Sequence, residues 1–191
     1  VERGDQCRAP KLFDVASGEA GMKNIRYVYE ADDNFIGKAI RWFTKGRVNH
    51  VAIMYTSSDW DDKEWVVEAI ARGRVVSRPV RNRKWTHIVK PKYEASHFLR
   101  GAQEFIDQKY EFKAIFLFAI FILAWRWFKL KLRRPTLKGK AQICSELAAH
   151  TVLPVLGPEI ENPQWVHPEE LLSLQEAYPE HFDVRKMDDT E

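Results

Sequence analysis

A chain of 191 residues with 45% hydrophobic content, seven Trp and eleven Phe has the length of one domain and enough apolar mass to fill its core. This composition excludes a disordered polypeptide, and a net charge of +3 is too small to imply a nucleic-acid partner by itself. Two cysteines, Cys7 and Cys144, exclude a disulfide framework; with no CxxC pair and no HExxH motif, neither a metal nor a cofactor is expected.

Residues 1–22 lack periodicity and read as an N-terminal arm. No secretory-signal pattern opens them, so the expectation is a soluble or peripherally membrane-associated chain of open compartment. NIRYVYE then alternates as a strand. NFIGKAIRWFTKG follows with Phe35, Ile36, Ala39, Ile40 and Phe43 at helical spacing, Asp32, Asp33 or Asn34 as cap, and Gly46 where a helix ends. RVNHVAIMYT is rich in β-formers, and its period of two puts Val48, His50, Ala52 and Met54 on one face. EWVVEAI, RGRVVSRPV and KWTHIVKP read as three more strands, so the first half predicts an antiparallel sheet.

From Ser96 the pattern turns helical, with Phe98, Leu99, Ala102, Phe105 and Ile106 in one stripe. An apolar helix is expected over about 111–134, a further one in CSELAAHTVL ending at Pro154, and a short one in HPEELLSL led by Pro168. The expectation is an α+β domain over residues 23–182, closed by an acidic tail over 183–191.

Ala114 to Trp125 is an unbroken apolar run of twelve residues, short of the roughly 20 that a spanning helix needs. It is followed by seven basic residues and no acid between Arg126 and Lys140. Three readings stay open: a core helix, a partner-binding helix, and an interfacial one. In the last, Phe116, Phe121, Trp125 and Trp127 would meet the membrane surface with Lys129 and Arg133 snorkelling. The basic block has no nucleic-acid-binding module around it, and no nucleic-acid partner is expected.

Cys144 stands at or near the first turn of a helix, where free backbone N–H groups favour a thiolate and offer donors to an oxyanion. A buried small hydrophobe is the ordinary alternative. A nucleophile needs a base, and six histidines are available. His150 is six residues along the same helix, about 240° away at 100° per residue, and points elsewhere. His181 falls in the polar tail, His167 before a proline, His97 at a helix start, and His87 in a strand without an acid nearby. His50 lies mid-strand among apolar residues, as a candidate base or a satisfied core histidine. Glu68 in VVEAI is a carboxylate in an apolar strand, costly unless paired; it reads as an orienting acid or as a solvent-facing residue.

The order FIGKAIRWFTKGRVNHVAIMY, VVEAIARGRVV, ICSELAAH and HPEELL resembles the permuted branch of the NlpC-type papain-like hydrolases, relatives of lecithin:retinol acyltransferase. That branch shows a helix and a T-G-x-x-N/S-H-V-x-I strand, then V-x-E-A, then C-S-E-L opening a helix. The likeness runs from Ile25 to Leu172, with Lys23-Asn24 where the family has Gly-Asp. It implies a circularly permuted papain-like fold with Cys144 as nucleophile, His50 as general base and Glu68 as the acid orienting His50. It also implies a thioacyl intermediate formed from an amide or ester, with a peptidoglycan peptide or a lipid acyl group as substrate. The alternative is a non-catalytic membrane-docking or structural module using the apolar-basic helix. A metal site built from Cys144, His50 and Glu68 lacks the usual ligand spacing.

Overall fold

The computed structural model describes residues 22–57, 62–70, 74–80, 83–93 and 144–187. The expected arm up to residue 21, the stripe after Ser96, the apolar helix over 111–134 with its six membrane-contact residues, and His97 lie outside them. Among the described residues the chain is α+β: a six-stranded, wholly antiparallel sheet with three helices.

β1 (Met22–Glu30) leads to α1 (Phe35–Thr44), followed by β2 (His50–Ser57), β3 (Lys63–Ile70), β4 (Arg74–Pro79) and β5 (His87–Pro91). α2 (Cys144–Leu156), two short 3₁₀ turns, α3 (Pro168–Ala177) and β6 (Phe182–Lys186) complete it. The spatial order is β4-β3-β2-β1-β5-β6, with β1 and β2 at the centre. Their residues are accordingly the most continuously apolar, and Tyr27, Val28, Tyr29 and Val51 are fully buried.

Strand alternation separates two apolar layers. Tyr27, Tyr29, Val51, Ile53, Tyr55, Val67 and Ala69 face Leu147, Ala148, Val152 and Leu156 of α2 and Leu171 and Leu172 of α3. Val28, Ala52, Met54 and Val66 form a smaller cluster with Val80, Trp85 and Ile88. Two buried tyrosines fasten the helices to the central strand: Tyr27 bonds Thr151 at 2.8 Å, and the Tyr29 hydroxyl donates to Gln175. Burial pushes both phenols well above their ordinary pKa, so they stay protonated as donors.

Several boundaries are narrowed or corrected relative to the sequence reading. Asn34 is the cap of α1, its side chain accepting from the Gly37 N–H at 2.7 Å. The left-handed residue closing the helix is Lys45 (φ 55°) rather than Gly46. Gly46 is needed for another reason: a Cβ there would lie 2.8 Å from the Cβ of Glu169 in α3. β2 begins at His50, so Val48 precedes the strand and joins the helix-side layer instead of the Ala52–Met54 face. α2 continues through Pro154 to Leu156. Pro154 sits in the last turn with its ring exposed, where a missing N–H costs one terminal bond while buried Val152 and Leu156 hold the turn in place. The first four residues of the expected acidic tail, 183–186, instead belong to β6, which pairs with β5 from His87↔Lys186 to Pro91↔Phe182; residues 188–191 lie outside the described ones.

Candidate active site

Sheet register brings His50 and Glu68 together. The β2–β3 ladder pairs Ile53 with Val67, so Glu68 falls beside Ala52, two residues from His50 on the same face. Such diagonal neighbours are within reach of long side chains. The result is a hydrogen bond of 2.9 Å between His50 Nε2 and Glu68 Oε2. Glu68 is completely buried and His50 half-buried.

A buried carboxylate must be compensated, and β4 and the residues after it supply two guanidiniums. β4 pairs Arg78 with Val66, which again makes it a diagonal neighbour of Glu68. Arg78 donates through Nε to Oε1 at 2.7 Å and through its terminal nitrogen to the same oxygen. Arg83 donates to Oε2 at 2.8 Å, lies 3.7 Å from Glu30, and stacks 5.6 Å over the Trp85 ring. Burial works against the carboxylate charge, but the bond and charge of His50, then Arg83 and Arg78, hold the Glu68 pKa down at about 2. Glu68 is therefore an ionised acceptor at any physiological pH, and Oε2 receives both His50 and Arg83.

With Nε2 turned to Glu68, Nδ1 is the ring nitrogen left for the other partner of His50, the Cys144 side chain. Cys144 is the first residue of α2 and is buried, at 8% exposure. Burial alone would raise its pKa. The His50 charge and hydrogen bond, and the backbone N–H groups of Val51 and Ser145, lower it below the ordinary thiol value of 9.0. Reciprocally, burial would depress His50, but the Cys144 thiolate and then Glu68 raise it to about 10. Each shift favours the charged form of its group, the thiolate for Cys144 and the imidazolium for His50, so the two titrate as a pair.

A second set of contacts places the segment carrying His50. Glu169, in the first turn of α3, accepts from the Arg47 backbone N–H, the Val48 N–H at 3.2 Å and Arg47 Nε at 2.7 Å. Glu176 takes the other face of the same guanidinium at 2.9 and 2.7 Å. On the opposite side Asn49 accepts from Arg41 at 3.2 Å, and Gly37 packs against the Asn49 side chain. The residues on either side of Val48 are therefore tied to α3 and α1 before His50 enters the sheet.

The other histidines among the described residues fall elsewhere. His150 lies 4.0 Å from Glu146 one turn back on α2, and His167 caps α3 by accepting from the Glu170 N–H at 3.0 Å. His181 sits in the turn before β6, beside Glu180. His87 is buried on β5 against the Thr86 hydroxyl. Arg78, Arg83 and Glu169 escaped the sequence reading. Arginines alternating in a strand, or following one, look like solvent-facing residues until the register aims them at a buried acid. For Glu169 the signal was present: a helix-leading acid one residue after Pro168.

No group of three or more His, Cys, Asp or Glu side chains among the described residues is arranged to hold a metal ion. No helix of the described residues is long and apolar enough to cross a membrane. The chain matches no protein-family model and no curated protein.

Proposed function

We propose that the chain is a cysteine hydrolase of the permuted papain-like kind, acting on an amide or ester carbonyl through a thioacyl intermediate. The observation that carries this reading is the Cys144–His50–Glu68 array. It joins a thiol at a helix N-terminus, an imidazole with one nitrogen on that thiol, and a buried carboxylate on the other nitrogen. The Cys144 thiolate attacks the carbonyl carbon, and the unpaired N–H groups of the first turn of α2 offer donors to the oxyanion. The His50 imidazolium gives its Nδ1 proton to the departing amine or alkoxide, leaving the acyl group on sulfur. His50, now neutral, takes a proton from water as it attacks the thioester, which frees the acid and restores the ion pair. Glu68, held by Arg78 and Arg83, keeps the ring turned throughout.

The substrate is proposed as a peptidoglycan peptide or a lipid acyl group. Turnover of purified cell-wall peptide and of phospholipid vesicles, each compared with Cys144→Ala, tests the reading. Loss of turnover of one substrate in the variant supports it and names the bond; turnover unchanged in the variant refutes it. A second reading, a membrane-docking module, draws on Phe35 and Trp42 of α1, seven residues apart on one helix face and 87% and 54% exposed. Vesicle co-sedimentation unchanged by Phe35→Ser with Trp42→Ser would remove it.

A further inference from the structure

A cavity of about 470 Å³ opens over β5 and β6 beneath α3, away from the Cys144–His50 pair. Its size lies within the range of small-ligand sites. Two of its lining side chains are buried and polar with hydrogen-bonding capacity left over. Gln175 is fully buried; its Oε1 accepts from Tyr29, while Nε2 has no partner. A buried amide N–H₂ without an acceptor costs roughly 1–3 kcal/mol, so the wall of this cavity is short of an acceptor. His87 is 5% exposed; its Nδ1–H donates at 3.2 Å to the Thr86 hydroxyl, whose own proton goes to the Tyr29 carbonyl, and burial pushes the ring pKa down, so Nε2 offers the cavity an N–H only when an anion draws a proton onto the ring.

The charges on the wall complete the pattern. Arg47 is engaged by Glu169 and Glu176, and Asp183 by Arg185, which leaves these groups with one net negative charge for the remaining cations to outweigh. Lys92 and Lys186 remain as exposed cations; Lys92 directs one N–H to the Pro179 carbonyl at 2.6 Å and has others to offer. The position is also informative. Val51, Tyr29, His87 and Lys186 form one row across β2, β1, β5 and β6. Two strand spacings, about 10 Å, therefore separate His87 from Val51, whose N–H points at the Cys144 sulfur.

We infer that this cavity binds an anionic oxygen group, a carboxylate or phosphate, through Gln175 Nε2, His87 Nε2 and the ammonium groups of Lys92 and Lys186. The group belongs either to the substrate whose carbonyl reaches Cys144 or to a free anion. The inference rests on the cavity and its donors, and only its link to substrate rests on the proposed hydrolase activity.

The test uses the full chain and inorganic phosphate, titrated at constant ionic strength against chloride, with the His87 ring Cε1–H followed by NMR. The groups facing that ring are Arg47, Lys186, Glu169 and Glu176. Saturable movement of the His87 signal is expected, with its protonation midpoint rising as phosphate binds. Lys92→Gln with Lys186→Gln, both on the surface, should weaken phosphate roughly tenfold or more without altering the fold. Cys144→Ala should bind as the parent does, so failure of the hydrolase reading and failure of this site are separable. Phosphate that raises KM at unchanged kcat assigns the anion to the substrate. Binding that leaves KM alone assigns it to a free anion. No saturable movement, or movement undiminished in the double lysine variant, overturns the inference.

Discussion

Replacing Glu68 by Gln keeps the shape of the side chain and one acceptor oxygen but deletes the charge that His50, Arg78 and Arg83 surround. The Glu68 pKa is held at about 2 against an ordinary 4.5. That depression is worth about 3 kcal/mol of native stability near neutral pH. Because the folded value is the lower one, the contribution is complete above pH 4.5 and is lost as pH falls through 2. Glu68→Gln should therefore destabilise the fold by about 3 kcal/mol at pH 7, at the lower edge of the roughly 3–5 kcal/mol seen when one member of a buried pair is removed. The parent's advantage over the variant should shrink as pH drops below 4. The same change loosens the ring of His50, and turnover should fall roughly 10²- to 10⁴-fold. Urea unfolding at several pH values, paired with kcat/KM under conditions where both proteins are folded, measures the two effects separately. A stability change under about 1 kcal/mol, with turnover within about threefold of the parent, would refute the reasoning.

Further outcomes follow from the contacts around the site. Glu169→Gln removes the charge that gathers the N–H groups of Arg47 and Val48 and should cost about 2 kcal/mol by thermal or chemical unfolding, with kcat reduced as His50 loses its anchor. Gly37→Ala puts a methyl 2.3 Å from the Asp32 carbonyl and 2.7 Å from the Asn49 amide, so about 1–3 kcal/mol should be lost in a urea melt. Activity should be flat around neutral pH and decline as pH rises through about 10, where the His50 imidazolium loses its proton; a pH–rate profile with no alkaline limb below pH 11 would contradict this.

Much of the sheet was legible because its strands alternate cleanly, and β1 to β5 fall where the runs of branched and aromatic residues do. β6 was hidden: FDVRK is a short edge strand whose charges are the ordinary guard against edge pairing, and in sequence it looks like a polar tail. The pairing of His50 with Glu68 could be read from two polar residues stranded in apolar strands, since each demands a partner. What the residues alone could not supply was register. A slip of one position turns every side chain to the other face, and only the Ile53↔Val67 and Val66↔Arg78 pairings aim His50 and Arg78 at the same carboxylate. The end of α1 falls close to Gly46 as read, but the role of that glycine differs. Gly46 looked like a helix stop, yet it is small because α3 passes against it.

The central claim is that Cys144 and His50 form a thiolate–imidazolium pair, and alkylation tests it without a known substrate. The rate of iodoacetamide labelling at Cys144 should be followed by mass spectrometry from pH 4 to 10, with Cys7 as internal reference. The account predicts an inflection for Cys144 below 9, moving up toward the ordinary thiol range in His50→Ala. An inflection at or above 9 in the parent, or one indifferent to loss of His50, would contradict it.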